Sequence, residues 1–283
     1  MLDVLKTLLN VRRDGAVIEL VARNRELERY DKAEQAFRKV IELDPTDADA
    51  WTGLGHLLTE YLERHAEAEQ AFRKVIEFAP TNANAWNSLG CVLMDHLDQH
   101  IEAEHALRRA IALEPTDPFP RYNLGRLLSD RDLNTQAHQA FRETIELDPT
   151  DADAWYHLGC VLTDRLARHD EAEQAFYKAV EMDPTKPGLW CVLGSHLSML
   201  QRKYDEAEKA FREAIELAPT DATPWLHLGR VLTSLRRYAE AEKAFRRAIE
   251  LDAIGDTGAC GALPNIDTWR LNLLSSGVTQ WWP

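Results

Sequence analysis

Apolar residues recur along the chain with the period of amphipathic helices. One stripe is formed by residues at offsets of zero, three, four and seven, which are Trp51, Leu54, Gly55 and Leu58. A second segment, EAEQAFRKVIE, carries its own stripe of Ala68, Ala71, Phe72, Val75 and Ile76, with Glu, Arg and Lys on the opposite side. Because residues three and four apart share a helix face, the pattern predicts two consecutive helices that each bury one side.

This helix pair is repeated at a fixed period. The phrase ELDPTDADAW, or a close variant, recurs around Pro45, Pro80, Pro115, Pro149, Pro184 and Pro219, which are spaced by 35, 35, 34, 35 and 35 residues. A constant period of this size predicts stacked supersecondary units. Proline ends each pair, the Thr-Asp or Thr-Asn after it can cap the next helix, and the glycine in the first helix suggests a close approach by the second.

The recurring Trp, Leu-Gly, Ala, Phe and Pro residues resemble the tetratricopeptide repeat family. The resemblance covers about seven tandem units over residues 14–252, and it implies an all-α, right-handed superhelix of antiparallel helix pairs. The first unit is degenerate, and four units carry one extra residue between their helices. Residues 1–13 are predicted to form an N-terminal capping helix, and residues 253–283 a glycine-rich linker followed by a C-terminal cap or tail. Pentatricopeptide repeats have a similar length, but these residue types and the acidic charge do not fit them.

Charge and cysteine content narrow the functional classes. The chain has 47 acidic and 33 basic residues, a net charge of −14, which disfavours nucleic acid and anionic membranes as partners. Four cysteines without a CxxC pair predict free thiols and no metal site, and His65, His100 and His169 are interpreted as turn residues. No signal peptide, membrane span or catalytic motif is found, so we expect a cytoplasmic protein that is not an enzyme and needs no cofactor.

Candidate binding residues lie on the first helix of each unit, opposite the buried stripe. The family resemblance implies that this face lines a concave groove. The candidates are His56, Asn87, Cys91, Phe119, Tyr122, Asn123, Arg126, Tyr156, His157, Cys160, His227 and Arg230. The fourth unit has Arg121 in place of the tryptophan, and this unit is interpreted either as a degenerate repeat or as a binding locus built from Phe119, Tyr122, Asn123 and Arg126. We expect the Arg121 guanidinium to reach water or a carboxylate.

The groove residues exclude two known subtypes of the family. No lysine occupies a groove position, unlike in the cochaperone modules that clamp a carboxylate, and one asparagine is not the ladder of O-linked N-acetylglucosamine transferases. The sequence therefore predicts a non-catalytic scaffold that binds a peptide or protein segment. Alternatives are a regulatory or targeting subunit of an enzyme or membrane-associated complex, and a self-associating assembly subunit. Trp281 and Trp282 are expected to pack on the last unit or on a second copy of the chain.

Overall fold

The computed structural model describes residues 29–164, 167–200 and 202–254, and every regular element in them is a helix. The helices are α1 (29–43), α2 (Ala48–Glu60), α3 (His65–Phe78), α4 (Ala83–Asp95), α5 (His100–Leu113), α6 (Phe119–Asp130), α7 (Asn134–Leu147), α8 (Ala152–Asp164), α9 (His169–Met182), α10 (Pro187–Met199), α11 (Tyr204–Leu217), α12 (Ala222–Ser234) and α13 (Tyr238–Ile254). The all-α class is confirmed. The predicted N-terminal cap and nearly all of the predicted tail, with its two terminal tryptophans, lie outside the described residues.

The chain divides between Ala167 and Arg168 into two compact units. Among the described residues, the first unit contains α1 to α8 and the second contains α9 to α13. Within the first unit, α2 packs on α3, α4 on α5 and α6 on α7, and within the second, α10 packs on α11 and α12 on α13. The short turns make each of these pairs antiparallel. First helices of successive repeats also contact each other, α4 with α6, α6 with α8 and α10 with α12.

The glycine of the first helix permits the close packing of the second. A Cβ atom on Gly55 would lie 2.7 Å from the Phe72 ring, and one on Gly125 would lie 2.7 Å from the Phe141 ring. Phe72 and Phe141 are almost completely buried. The close approach expected from the sequence is therefore confirmed, and the partner in both repeats is the phenylalanine of the second helix. In the stripe, Leu54 and Leu58 are buried, whereas Trp51 is only half-buried.

The segment between Pro45 and Trp51 shows how one repeat leads into the next. Asp47 caps α2, because its Oδ1 accepts a hydrogen bond from the Ala50 backbone N–H at 2.9 Å. The indole N–H of Trp51 donates to the Pro45 carbonyl at 2.9 Å. The equivalent indole bond is made by Trp86 (3.1 Å), Trp155 (3.0 Å) and Trp190 (2.9 Å). These bonds tie the starts of α2, α4, α8 and α10 to the proline that precedes each of them.

Arg121 replaces the indole with two weaker polar contacts. Its Nη1 donates to the Asp117 carbonyl at 3.3 Å, and its Nε lies 3.4 Å from Oε2 of Glu143. The guanidinium thus reaches a carboxylate, as expected from the sequence.

The turn inside each repeat contains one residue with left-handed backbone. In the turn between α2 and α3 this residue is Glu63, with φ of 52°, and the next residue, Arg64, donates its N–H to the Leu58 carbonyl at 2.9 Å. In the shorter turn between α6 and α7, Leu133 donates to Leu128 at 2.8 Å, five residues earlier and not six. The extra residue of the longer repeats is therefore accommodated in this turn.

Candidate functional site

Three neighbouring first helices of the first unit, α4, α6 and α8, bring most of the predicted binding residues together. We call the set of side chains opposite their buried stripes the central face, which consists of Asn87, Cys91, Asp95, Tyr122, Asn123, Arg126, Tyr156, His157 and Cys160. Because α6 contacts both α4 and α8, residues of the three helices lie side by side. Most of these side chains are half-buried, which leaves part of each one accessible.

Two polar contacts connect α4 and α6 across the central face. The Asn123 Nδ2 donates to the Asn87 Oδ1 at 3.0 Å, and the Arg126 Nη2 lies 3.0 Å from the Asp95 Oδ1. The asparagine bond uses the oxygen of Asn87 and the nitrogen of Asn123. The Nδ2 of the half-buried Asn87 is therefore left for a further partner, whereas Asn123, which was expected to line the groove, is buried and only 9% exposed.

Four rings on α6, α7 and α8 form an aromatic cluster of Tyr122, Phe141, Tyr156 and His157. The His157 ring lies 5.6 Å from Tyr122 and 4.9 Å from Tyr156, both in edge-to-face geometry, and it stacks in parallel on Phe141 at 5.5 Å. Phe141 is 0% exposed and contacts the rings of His157 and Tyr122, so it supports these two rings from the protein interior. Such ring arrangements are stabilising beyond their buried area, so the positions of the accessible rings are well defined.

Two titratable groups of the cluster, His157 and Tyr122, are held in their neutral forms. Burial, with a smaller contribution from Arg126, lowers the pKa of His157 below its ordinary value, so the imidazole is neutral at pH 7. Burial raises the pKa of Tyr122, so this phenol is also neutral. The charges acting on these two residues are the carboxylates of Asp95, Asp130, Asp151 and Asp153 and the single guanidinium of Arg126. The surroundings of the cluster are therefore net acidic.

Two cysteine thiols of the first helices, those of Cys91 and Cys191, are held protonated. Burial, together with the charge of Asp95, raises the pKa of Cys91 to about 11, and burial with the charge of Asp221 raises that of Cys191 in the second unit to about 12. Both are free cysteines.

We expect Cys91 and Cys191 to react with a thiol-specific disulfide reagent at least about tenfold more slowly in the native protein than in the unfolded chain at pH 8, because thiolate is the reactive form. Stopped-flow absorbance measures the two rates, and the unfolded protein, in which all four thiols should titrate without reductant, serves as the control. Equal reaction rates in the native and unfolded protein would show that burial does not hold these two thiols protonated.

Four predicted residues lie apart from the central face. His56 on α2 is exposed and lies 3.7 Å from Glu60, and Phe119 at the start of α6 is 65% exposed. His227 and Arg230 belong to α12 in the second unit, where the His227 ring stacks on Phe211 at 5.4 Å. The structure therefore gathers the candidates of α4, α6 and α8 and leaves these four outside that set.

Two contributors to the site are absent from the sequence-based candidates. Phe141 was assigned to the packing of the second helix, and Asp153 precedes the tryptophan of its repeat. The signal for Asp153 is its spacing, because it stands three and four residues before Tyr156 and His157 and so shares their helix face.

The described residues show neither a metal-binding cluster nor a membrane-spanning helix. Within residues 29–164, 167–200 and 202–254, no group of three His, Cys, Asp or Glu side chains is arranged to hold a metal ion. In the same part of the chain, no helix combines the length and the apolar character needed to cross a bilayer.

Comparisons with known proteins agree with the fold. Family models described as tetratricopeptide repeat match residues 25–90, 83–117, 122–187 and 199–255. No curated protein matches the chain. Among solved structures, PilF of Pseudomonas aeruginosa is 20% identical with a TM-score of 0.61 and covers 81% of this chain and 95% of its own.

Two further structures are similar over shorter spans. MamA from Desulfovibrio magneticus RS-1 is 21% identical with a TM-score of 0.55, over 62% of this chain and 97% of its own. YrrB, described as a TPR protein with an unusual peptide-binding site, is 22% identical with a TM-score of 0.51, over 66% of this chain and 94% of its own. At these identities the structures share the fold, and the family models match more than half of the sequence. The chain belongs to the tetratricopeptide repeat family.

Proposed function

We propose that the protein is a non-catalytic scaffold that binds a peptide, or an extended segment of another protein, on the central face. The observation that carries the proposal is the grouping of half-buried polar and aromatic side chains on three adjacent helices. Within it, Asn123 bonds to Asn87, Arg126 pairs with Asp95, and Tyr122 and Tyr156 flank His157. YrrB, which has the same fold, is described as having a peptide-binding site.

The side chains of the central face suit an extended peptide. The Asn87 Nδ2, which the Asn87–Asn123 bond leaves unused, can donate a hydrogen bond to a carbonyl oxygen of a peptide backbone. Tyrosine and arginine are the residue types that most often dominate binding energy, because they bury a large area and keep a polar end. The Tyr122 and Tyr156 rings are therefore the expected anchors, with Asn87 holding the backbone beside them.

The chemistry of the same residues argues against catalysis. The Cys91 thiol is protonated at pH 7, so it is a poor nucleophile. The neutral His157 is packed between aromatic rings instead of being oriented by a carboxylate. Cys91 and His157 therefore do not form an activated nucleophile with its base.

A selection from displayed random peptides on the full chain, together with co-purification and mass spectrometry, tests the proposal. We expect Tyr122→Ala or Arg126→Ala to weaken the selected peptide at least about tenfold, which corresponds to about 1.4 kcal/mol, with helicity unchanged. Fluorescence anisotropy measures the affinity, and circular dichroism checks the helices.

Lys74→Ala on α3 is the control, because this side chain is exposed and pairs with Glu77 at 2.7 Å away from the central face. If Lys74→Ala weakens the peptide as much as the other two changes do, the binding site lies elsewhere. If no peptide is selected and no partner co-purifies, the proposed function is wrong.

A further inference from the structure

A histidine occupies a buried apolar position in the second unit. His196 of α10 stands six residues after Trp190 and is only 4% exposed. In the other first helices that the structure describes, the residue at the same position is a buried leucine or valine. These residues are Leu57, Val92, Leu127, Val161 and Val231. Among the described first helices, α10 therefore differs from the rest by placing a titratable group at this core position.

The imidazole of His196 lies in the junction between α9 and α10. Its Nε2 lies 3.1 Å from the backbone carbonyl oxygen of His169, at the start of α9. Because a carbonyl oxygen only accepts, Nε2 carries the proton and donates this bond. The centre of the His196 ring lies 5.2 Å from that of the buried Phe176 and 6.3 Å from that of His169. Since α9 and α10 belong to consecutive repeats, His196 takes part in the contact that joins one repeat to the next.

The surroundings of His196 favour its neutral form. Burial is the main cause, because an imidazolium loses its hydration in the core, and it lowers the pKa of His196 below the ordinary value. The bond to the His169 carbonyl and the charge of Glu173 on α9 act in the opposite direction, whereas charges on His169 and Lys203 add to the effect of burial. Lys203, just before α11, lies 2.5 Å from Glu173, so the charge of this carboxylate is balanced by the lysine ammonium.

We propose that His196 makes the packing of α10 against α9 sensitive to pH, so that neutral pH keeps this junction closed and mild acid opens it. As the pH falls below about 6.5, the ordinary pKa of histidine, an opened junction takes up a proton that the packed junction resists. Opening is therefore coupled to proton uptake, and the closed form loses stability over this range of pH. The inference concerns the second unit and does not depend on the central face.

Hydrogen–deuterium exchange with mass spectrometry tests the inference on the full chain. The protection of backbone amides in α10 is compared at about pH 7.5 and about pH 5.5, after correction for the intrinsic effect of pH, under conditions in which exchange reports the opening equilibrium. We expect this protection to fall about five- to tenfold at the lower pH. The reason is that an exposed imidazole becomes mostly protonated over this range, whereas the buried one does so much less.

Two variants separate titration of His196 from other effects of acid. His196→Leu introduces the residue found at the equivalent position of α2 and α6, and His196→Gln keeps an N–H donor for the His169 carbonyl but cannot titrate. In both variants we expect the protection of α10 to change by less than about twofold between the two pH values. The matched control is His105→Gln on α5, which removes an exposed histidine and should keep the full response of the wild type.

The pattern across the variants decides the inference. A loss of protection in the wild type and in His105→Gln, but in neither His196 variant, supports it. No loss in the wild type, a loss that persists in His196→Leu or His196→Gln, or a response abolished by His105→Gln would overturn it. If circular dichroism shows that His196→Gln is unfolded at neutral pH, His196→Leu decides alone. The random-peptide selection, carried out at neutral pH, tests the proposed function separately.

Discussion

Replacing Phe141 with alanine is expected to lower the free energy of unfolding by about 3–5 kcal/mol. Its ring is fully buried, lies against Gly125 of α6 and stacks on His157 of α8. Removing it leaves a cavity between three helices and takes away the support of the aromatic cluster. Urea unfolding followed by circular dichroism measures the loss.

The chain offers its own control for this substitution. In the preceding repeat, Leu107 occupies the equivalent position and lies against Gly90, where a Cβ would be 2.7 Å from its Cγ. A leucine can therefore fill this place, and Phe141→Leu should cost less than about 1.5 kcal/mol. If leucine and alanine at residue 141 were equally destabilising, the packing role of the ring would be wrongly assigned.

Gly125→Ala is also expected to lower the free energy of unfolding. This direction is opposite to the one that helix propensity alone predicts. Alanine is normally the better helix former by about 1 kcal/mol. At residue 125, however, the new Cβ would stand 2.7 to 3.0 Å from three atoms of the Phe141 ring, which has no free space to move into. We therefore expect a net loss of about 1–3 kcal/mol in the free energy of unfolding, measured by the same urea titration.

Gly188→Ala is the matched control for this prediction. Gly188 also lies in a first helix, α10, but nothing lies within 4 Å of a Cβ built there. The same substitution should therefore stabilise the protein by about 0.5–1 kcal/mol. If Gly125→Ala and Gly188→Ala both raised the free energy of unfolding, helix propensity, and not contact with the phenylalanine, would control stability at these glycines.

The repeat architecture was predictable because its causes are local in sequence. The stripe of Leu54, Gly55 and Leu58 follows from the helical period, and the capping by Asp47 follows from the chemistry of a helix start. The close approach of the second helix could be anticipated from the cost of the glycine, but the phenylalanine that makes the contact could not. Each of these features recurs in several repeats, so a chance pattern in one repeat would not be mistaken for the rule.

The composition of the site was less predictable, because its contacts join residues of different repeats. A helical wheel places Asn87 and Asn123 on similar faces, but only the packing of α4 against α6 shows that they bond to each other. The same applies to Arg126. The sequence suggests that it binds a ligand, whereas in the structure it pairs with Asp95 of the preceding repeat. Phe141 supports the rings of Tyr122 and His157. Its sequence position indicates only that it packs in the buried stripe of the second helix.

The left-handed residue in the turn between the two helices of a repeat shows that the repeats share backbone geometry where their residue types differ. The positions are Glu63, Asp98, Asp132, Ala167, Arg202 and Arg236, with φ between 51° and 61°. Left-handed backbone costs an ordinary residue about 1–2 kcal/mol, yet none of the six is glycine. The turn must therefore be imposed by the helices on either side of it. Comparison of the repeats letter by letter would score this position as uninformative, although the backbone there is among the most tightly specified in the molecule.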